Sequence, residues 1–77
     1  MHKEFVDVIV KFQKDGQKIP ITVIWDDGTK YEIDKILDVR RAVSMKVGGL
    51  GIRYECKILG KITYLWLEDD VWFVEAK

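Results

Sequence analysis

The sequence predicts an all-β protein, a small antiparallel meander closed into an SH3-like barrel of six or seven short strands. Apolar and polar residues alternate with a period of two along most of the chain, as they do in half-buried strands. Short turns containing Gly or Asp separate these runs, and closure into a barrel hides the edges of a small sheet. The 77 residues are predicted to form a single domain, 1–77.

The first third of the chain is predicted to form two strands and the start of a third, separated by turns. Apolar residues recur at every second position over 6–12, and the Lys-Asp-Gly-Gln sequence at 14–17 is typical of a turn. The next run contains Pro20, which has no N–H to donate, so it indicates an edge strand or the start of a strand. Asp27-Gly28 suits a tight hairpin turn because both residues tolerate positive φ.

Two structures compete for residues 31–47. As a strand, the segment has most apolar side chains at odd positions, with Ile36 and Ala42 as exceptions. As a helix, it has a rough apolar stripe that begins at an Asp34 cap. We predict strand, either continuous or as two strands bent near Asp34–Ile36. The alternative is an α+β half-open roll with one helix near 34–46.

The C-terminal part of the sequence predicts three strands joined by two turns. Residues 52–58 alternate regularly, and turns at 59–61 and 68–70 separate them from the runs ITYLWL and VWFV. The last two runs are apolar on both faces, whereas a half-buried strand should alternate. We therefore expect the C-terminal hairpin to be covered on two sides, by a second layer of this domain or by another copy of the chain.

The residues that commonly carry catalysis are too few and too dispersed to form a mechanism. His2, Ser44 and Cys56 are the single members of their types, and Cys56 lies in an apolar alternation typical of a core thiol. One His and one Cys cannot build a zinc site, and the acidic turns do not match a calcium loop. We predict no catalytic residue, no metal and no cofactor, and hence no enzyme.

Cysteine content and hydropathy lead us to expect a cytoplasmic protein with no membrane partner. A single cysteine cannot form an intrachain disulfide, which is typical of a reducing compartment. No apolar run approaches the roughly 20 residues that a membrane helix requires.

The formal net charge of zero conceals a basic segment. Residues 39–61 carry six Lys and Arg against one acid, Glu55, which leaves +5. If Gly48-Gly49 forms the hairpin turn, Arg40 faces Lys57; a slide by one residue pairs Lys46 with Arg53. In either register these charges share one face. The positions of this candidate nucleic-acid surface are Arg40, Arg41, Lys46, Arg53 and Lys57, with Tyr64 or Trp66 available for stacking.

The next turn decides which way Tyr64 and Trp66 point. A two-residue Gly60-Lys61 turn places both aromatic rings among Arg53 and Lys57, a combination suited to nucleic-acid bases and phosphates. A three-residue turn sends both rings into the core, and we favour this register because aromatic side chains are more often buried.

These features favour a binding module over an enzyme. The first hypothesis is protein–protein interaction or self-association through the apolar C-terminal hairpin, which includes a possible homodimer. Its interaction residues are Leu65, Leu67, Trp72 and Phe73. The alternative is a weak nucleic-acid-binding accessory domain that uses the basic face of residues 40–57.

Three segments, "WDDGTKYEIDKILDVRRA", "GIRYECKI" and "TYLWLEDDVWFVEAK", together resemble a group of small uncharacterised bacterial all-β domain proteins. The shared pattern is a Trp-x-Asp-Gly-x-x-Tyr hairpin at 25–31, an arginine-bearing strand at 36–41 and a closing Trp72-Phe73. The N-terminal strand lies outside this resemblance. The group has no assigned activity, so the resemblance implies no catalytic residue. Some of its members accompany DNA-repair polymerases, which implies a nucleic-acid accessory role by association.

Overall fold

A computed structural model describes residues 2–44, 48 and 50–76. They contain seven strands, and none of the described residues is helical. The strands are β1 (His2–Phe12), β2 (Lys18–Ile24), β3 (Lys30–Glu32), β4 (Lys35–Val43), β5 (Leu50–Ile58), β6 (Lys61–Glu68) and β7 (Val71–Ala76). All pairings are antiparallel, and the sheet order is β3-β2-β1-β7-β6-β5-β4.

The predicted all-β class and strand number are confirmed. The alternative with a helix near 34–46 is wrong for the described residues, because Lys35–Val43 form strand β4. Ile36 departed from the alternation for a local reason: β4 is irregular between Ile36 and Asp38, so Ile36 and Val39 both face the inside of the sheet. The SH3-like detail of the predicted barrel stays a prediction.

The sheet curls into a half-barrel, and one strand, β1, is shared between its halves. The first part of β1 pairs with β7, and its second part pairs with β2. The two edge strands, β3 and β4, are separated only by Ile33 and Asp34. Ile33 N–H donates to Ile21 on one side (2.9 Å), and Asp34 N–H donates to Lys57 on the other (2.8 Å). At this corner the two ends of the sheet meet.

The core lies inside the curl, where apolar side chains from nearly every strand converge. Its buried members are Val6, Val23, Tyr54, Cys56, Leu65, Leu67 and Trp72. The rings of Tyr54 and Trp72 lie 5.2 Å apart at their centroids. The hydroxyl of Tyr54 crosses the core and donates to the carbonyl of Lys18 on β2 (2.7 Å), which ties the two halves of the sheet together.

Most of the predicted turns are confirmed. Gly16 and Gly28 adopt positive φ in the first two turns, where Asp15 and Asp27 each accept a backbone N–H two residues further on. Pro20 lies within β2. Only Thr22–Ile24 of that strand pair with β3, so the missing N–H of Pro20 breaks no hydrogen bond to β3.

Both predicted registers of the β4–β5 hairpin are wrong. Val43 pairs with Leu50, so the connection spans residues 44–49 and is longer than a Gly48-Gly49 turn. Arg40 consequently faces Arg53, and Ala42 faces Gly51. Met45, Lys46, Val47 and Gly49 lie outside the described residues.

Candidate interaction surfaces

The four residues predicted to form an apolar interaction surface are all buried within the chain. Leu65, Leu67 and Trp72 belong to the core, and Phe73, on the opposite face of the hairpin, retains only 1% of its surface. The expectation that the C-terminal hairpin is covered on two sides is met by the domain itself. Any apolar surface open to a partner must consist of other residues.

An outer aromatic cluster, formed by Phe5, Trp66 and Phe73, provides the second cover. Trp66 stacks on Phe73 at 5.9 Å with nearly parallel rings, and Phe5 meets Phe73 edge-on at 6.1 Å. Lys3 lies over Phe73, 4.9 Å from the ring centroid, and reaches the carboxylate of Glu68 at 2.7 Å. A charged side chain with an apolar stem thus covers the ring of Phe73, while Phe5 at the margin of the cluster stays 53% exposed.

Tyr64 and Trp66 lie on the outer face, so the three-residue turn that would send both into the core is not formed. The turn is Leu59-Gly60, because Ile58 pairs with Lys61. Trp66 therefore lies opposite Arg53, and Tyr64 lies opposite Glu55. A Gly60-Lys61 turn also predicts the outer face for both rings, but it would pair Glu55 with Trp66. The observed pairing of Glu55 with Tyr64 is shifted from that register by two residues.

Only one of these two aromatic rings is open to a ligand. Tyr64 is 41% exposed, and the guanidinium carbon of Arg53 lies 4.8 Å from its ring centroid. Trp66 is 3% exposed, and its indole N–H donates to Glu75 at 3.0 Å. The ring of Trp66 is therefore part of the structure of the outer face, while Tyr64 can stack with an approaching group.

Like charges face each other across β4 and β5, in rows of alternating sign. Lys35 pairs with Lys57, the next row contains Asp38 and Glu55, and Arg40 pairs with Arg53. Neighbouring rows therefore compensate each other. The Nε of Arg40 donates to Asp38 at 2.6 Å, and this hydrogen bond raises the pKa of the arginine further above its usual value.

The five predicted basic residues do not form one surface. Arg40, Arg53 and Lys57 share the outer face. Arg41 pairs with Ile52 and so lies on the inner face, and Lys46 is outside the described residues. The excess of positive charge in the sequence is thus divided between two faces, and part of it is neutralised by Asp38 and Glu55.

A groove opens between the start of β2 and strand β4, where the two ends of the curled sheet diverge. Its volume is about 520 Å³. Ile52, Tyr54 and Leu67 form apolar parts of its lining, and Arg41 lies at its side without an ion pair to any described residue. The β2–β4 groove therefore reaches core residues from the solvent.

Beside the groove, the inner face of the β4–β5 hairpin extends past the core. Val39, Val43 and Leu50 are 48%, 56% and 61% exposed, although they lie on the same face as the buried Tyr54. Strand β4 also ends the sheet, so the backbone groups along one of its edges have no strand partner. We refer to the edge of β4 together with these three side chains as the β4 surface.

Cys56 is completely buried, and its environment is that of a structural residue. Burial raises the pKa of the thiol to about 11, and the neighbouring Glu55 adds to the shift. The Sγ lies 3.6 Å from the carbonyl of Tyr54. His2, at the start of β1, is 3.7 Å from Glu4. Within the described residues, no three His, Cys, Asp or Glu side chains are grouped as a metal would require.

No helix long and apolar enough to cross a membrane is found among the described residues. Comparison with known proteins gave no match to a family model, a curated protein or a solved structure. The resemblance to small bacterial β domains therefore stays a prediction.

The sequence did not reveal Val39, Val43 and Leu50 as surface residues. Val39 and Val43 occupy odd positions of the predicted strand, which places them on one face, but alternation does not tell whether that part of the face is covered. The reason for their exposure lies in strand lengths that only the structure gives. Because β3 has three residues and β4 has nine, β3 cannot cover the whole inner face of the β4–β5 hairpin.

Proposed function

We propose that the protein is a non-enzymatic binding module that associates with other protein chains, in the first place with a second copy of itself, through the β4 surface. The observation that carries this proposal is the exposure of Val39, Val43 and Leu50 on a face that continues directly into the core. An apolar patch contiguous with a core is costly to leave in water, and such patches mark interaction surfaces.

The backbone of β4 supports the same proposal. A terminal strand offers unpaired N–H and C=O groups, and a strand of another chain can satisfy them. Charged side chains and bulges oppose unspecific pairing at sheet edges, and β4 has both: Arg40, Arg41 and the irregularity after Ile36. Val39 and Val43 therefore favour association, while the charges and the irregularity limit which strands can pair with β4.

A second copy is the partner that this surface suits best. A two-fold symmetric interface brings the same patch of both subunits together, so the patch must complement itself. Val39, Val43 and Leu50 meet this condition, because apolar side chains pack against apolar side chains. Arg41, between the two valines on the same face, can extend to the solvent at the margin of such a contact.

The environment of Cys56 supports two further parts of the proposal, the non-enzymatic role and a cytoplasmic location. A fully buried thiol with a raised pKa is a poor nucleophile, which supports a non-enzymatic role. A free thiol also supports the proposed cytoplasmic location, where cysteines stay reduced.

Sedimentation equilibrium tests the self-association. We expect a dimer that persists at high salt, because burial of apolar surface is the driving force. Val43→Asp combined with Leu50→Asp should give a monomer, since these two residues face each other on the β4 surface. Val71→Asp, a residue 45% exposed on β7, is the matched control and should stay dimeric. A wild-type protein that is monomeric over the whole accessible concentration range rules out self-association.

Weak binding of single-stranded nucleic acid is a second candidate, favoured by the pairing of Arg53 with Tyr64. A half-exposed aromatic ring beside a guanidinium can stack a base while the charge screens a phosphate. The resemblance to domains that accompany DNA-repair polymerases is in line with such a role.

Fluorescence anisotropy of a labelled single-stranded oligonucleotide tests the second candidate. We expect an affinity that falls steeply as salt is raised, because bound counterions are released. Arg53→Gln with Tyr64→Leu should abolish most of the binding, and the exposed Lys30→Gln on β3 should reduce it only slightly. Equal affinity of the wild type and the double variant excludes this face.

A further inference from the structure

A second cavity lies at the other end of strands β2, β5 and β6 from the β2–β4 groove. Its volume is about 450 Å³, within the roughly 300–1,000 Å³ typical of small-molecule sites. Its lining includes two aromatic residues, Trp25 and Tyr31, and two aliphatic ones, Ile58 and Leu59. Leu65 is among the residues that line it, so the cavity borders the core. We call it the Trp25 pocket.

The polar groups of the pocket are few, and one cation among them is uncompensated. Lys61 is exposed and forms no ion pair with any described residue. Thr63 and Glu75 are the other polar residues in the lining. Glu75 follows Val74 on the outer face of β7, where its Oε1 accepts from Trp66 and its Oε2 is buried without a hydrogen bond. An apolar cavity with aromatic rings and one free ammonium is complementary to a small aromatic molecule that carries a negative charge.

The backbone conformation and exposure of Leu59 independently indicate that a ligand binds in this pocket. Its φ is +51°, in the left-handed region, where a branched side chain is unfavourable. Two-residue hairpin turns of this kind prefer Asn, Asp or Gly, and the β6–β7 turn of the same chain has Asp69 and Asp70 there. Leu59 is nevertheless an exposed leucine (75%), so contacts within the chain do not offset its strain. Because Leu59 lies in the lining of the pocket, a ligand bound there would cover it.

We infer that the Trp25 pocket binds a small aromatic anion, with Leu59 packing against its ring system and Lys61 pairing with its acidic group. This inference does not depend on the proposed self-association, since the β4 surface and the pocket share no residue.

The test uses 1-anilinonaphthalene-8-sulfonate, an aromatic anion whose fluorescence rises in apolar surroundings. We expect saturable binding by the folded wild type, with amide shift changes at Trp25, Tyr31 and Leu59. Leu59→Asn should weaken binding about fivefold, as expected for losing contact with one aliphatic side chain, and it should leave the melting temperature equal or higher. Lys61→Gln should weaken it about threefold, in line with a partly exposed ion pair.

Leu50→Asn serves as the matched control because it removes an exposed leucine from the β4 surface. Its affinity for the dye should stay within about twofold of the wild type, the range of a substitution without contact. Unchanged affinity in Leu59→Asn overturns the inference, as does an equal loss in Leu50→Asn. A lower melting temperature for Leu59→Asn also overturns it, because Leu59 would then be stabilising the fold itself.

Discussion

Truncation of Phe73 to alanine distinguishes a surface residue from a structural one. The sequence predicts Phe73 in an interaction surface, where its loss should change the free energy of unfolding by about 0.5 kcal/mol or less. In the structure it retains 1% exposure beneath Lys3, and its ring contacts those of Trp66 and Phe5. These contacts make Phe73 the centre of the outer aromatic cluster.

The expected cost of Phe73→Ala is large compared with the stability of the whole domain. Truncation of a buried phenylalanine costs about 3–5 kcal/mol. Domains of this size unfold with a free energy of roughly 4–12 kcal/mol, from about 0.05–0.15 kcal/mol per residue. The variant should therefore be close to the limit of folding. Phe73→Leu, which keeps most of the apolar volume, should lose less and remain folded.

Urea unfolding followed by tryptophan fluorescence measures this effect. With a slope of about 1 kcal/mol per molar urea, the midpoint of Phe73→Ala should fall by about 3 M or more. Val71→Ala, two residues earlier on the same strand and 45% exposed, is the control and should shift it by about 0.5 M or less. If Phe73→Ala unfolds at the same urea concentration as the control, Phe73 is not buried and the outer cluster is not formed.

Three further predictions concern single residues. Gly51→Ala should lower stability in urea by about 1–3 kcal/mol, because the new Cβ would lie 2.4 Å from the carbonyl oxygen of Leu67; a gain in stability contradicts this close approach. The hydrogen bond from Lys3 lowers the pKa of Glu68 below its ordinary 4.5, so its contribution to stability exists above that pH and disappears as the pH falls further. Glu68→Gln should accordingly flatten acid unfolding below pH 4.5, and an unchanged acid profile argues against the contact. Burial raises the pKa of Cys56 from 9.0 to about 11, so its contribution to stability should be lost as the pH rises through this range. At neutral pH, iodoacetamide should label Cys56 only as fast as the protein unfolds, and rapid labelling of the native protein contradicts its burial.

The strands and most of the turns could be predicted because their signals are local. The alternation of Ile52–Ile58 requires only the period of a strand, and Asp27-Gly28 requires only the positive φ of its turn. The long connection after Val43 was missed because paired glycines resemble a tight turn. The irregularity after Ile36 is predicted only as a bend, because the residues of β4 alone do not specify how the strand pairs with β5 beyond it.

The candidate site was less predictable because its residues are assembled by long-range contacts. Phe73 is predicted to bind a partner, but Lys3 and Phe5 of the first strand cover it. Lys3 lies 65 positions before Glu68, the partner that holds it over Phe73. No pattern within the last two strands contains that information.

The sequence by itself determined the all-β class, the approximate strand positions and the scarcity of catalytic side chains, since these depend on residue type and on periodicity along the chain. Only the tertiary structure decided which apolar residues are covered. One residue of turn length reverses the face on which Tyr64 lies. Side chains of the first strand cover Phe73 on the outer face, whereas Val43, on the inner face, stays in solvent. Strand period is set by neighbouring residues, whereas burial is set by distant strands that meet in space.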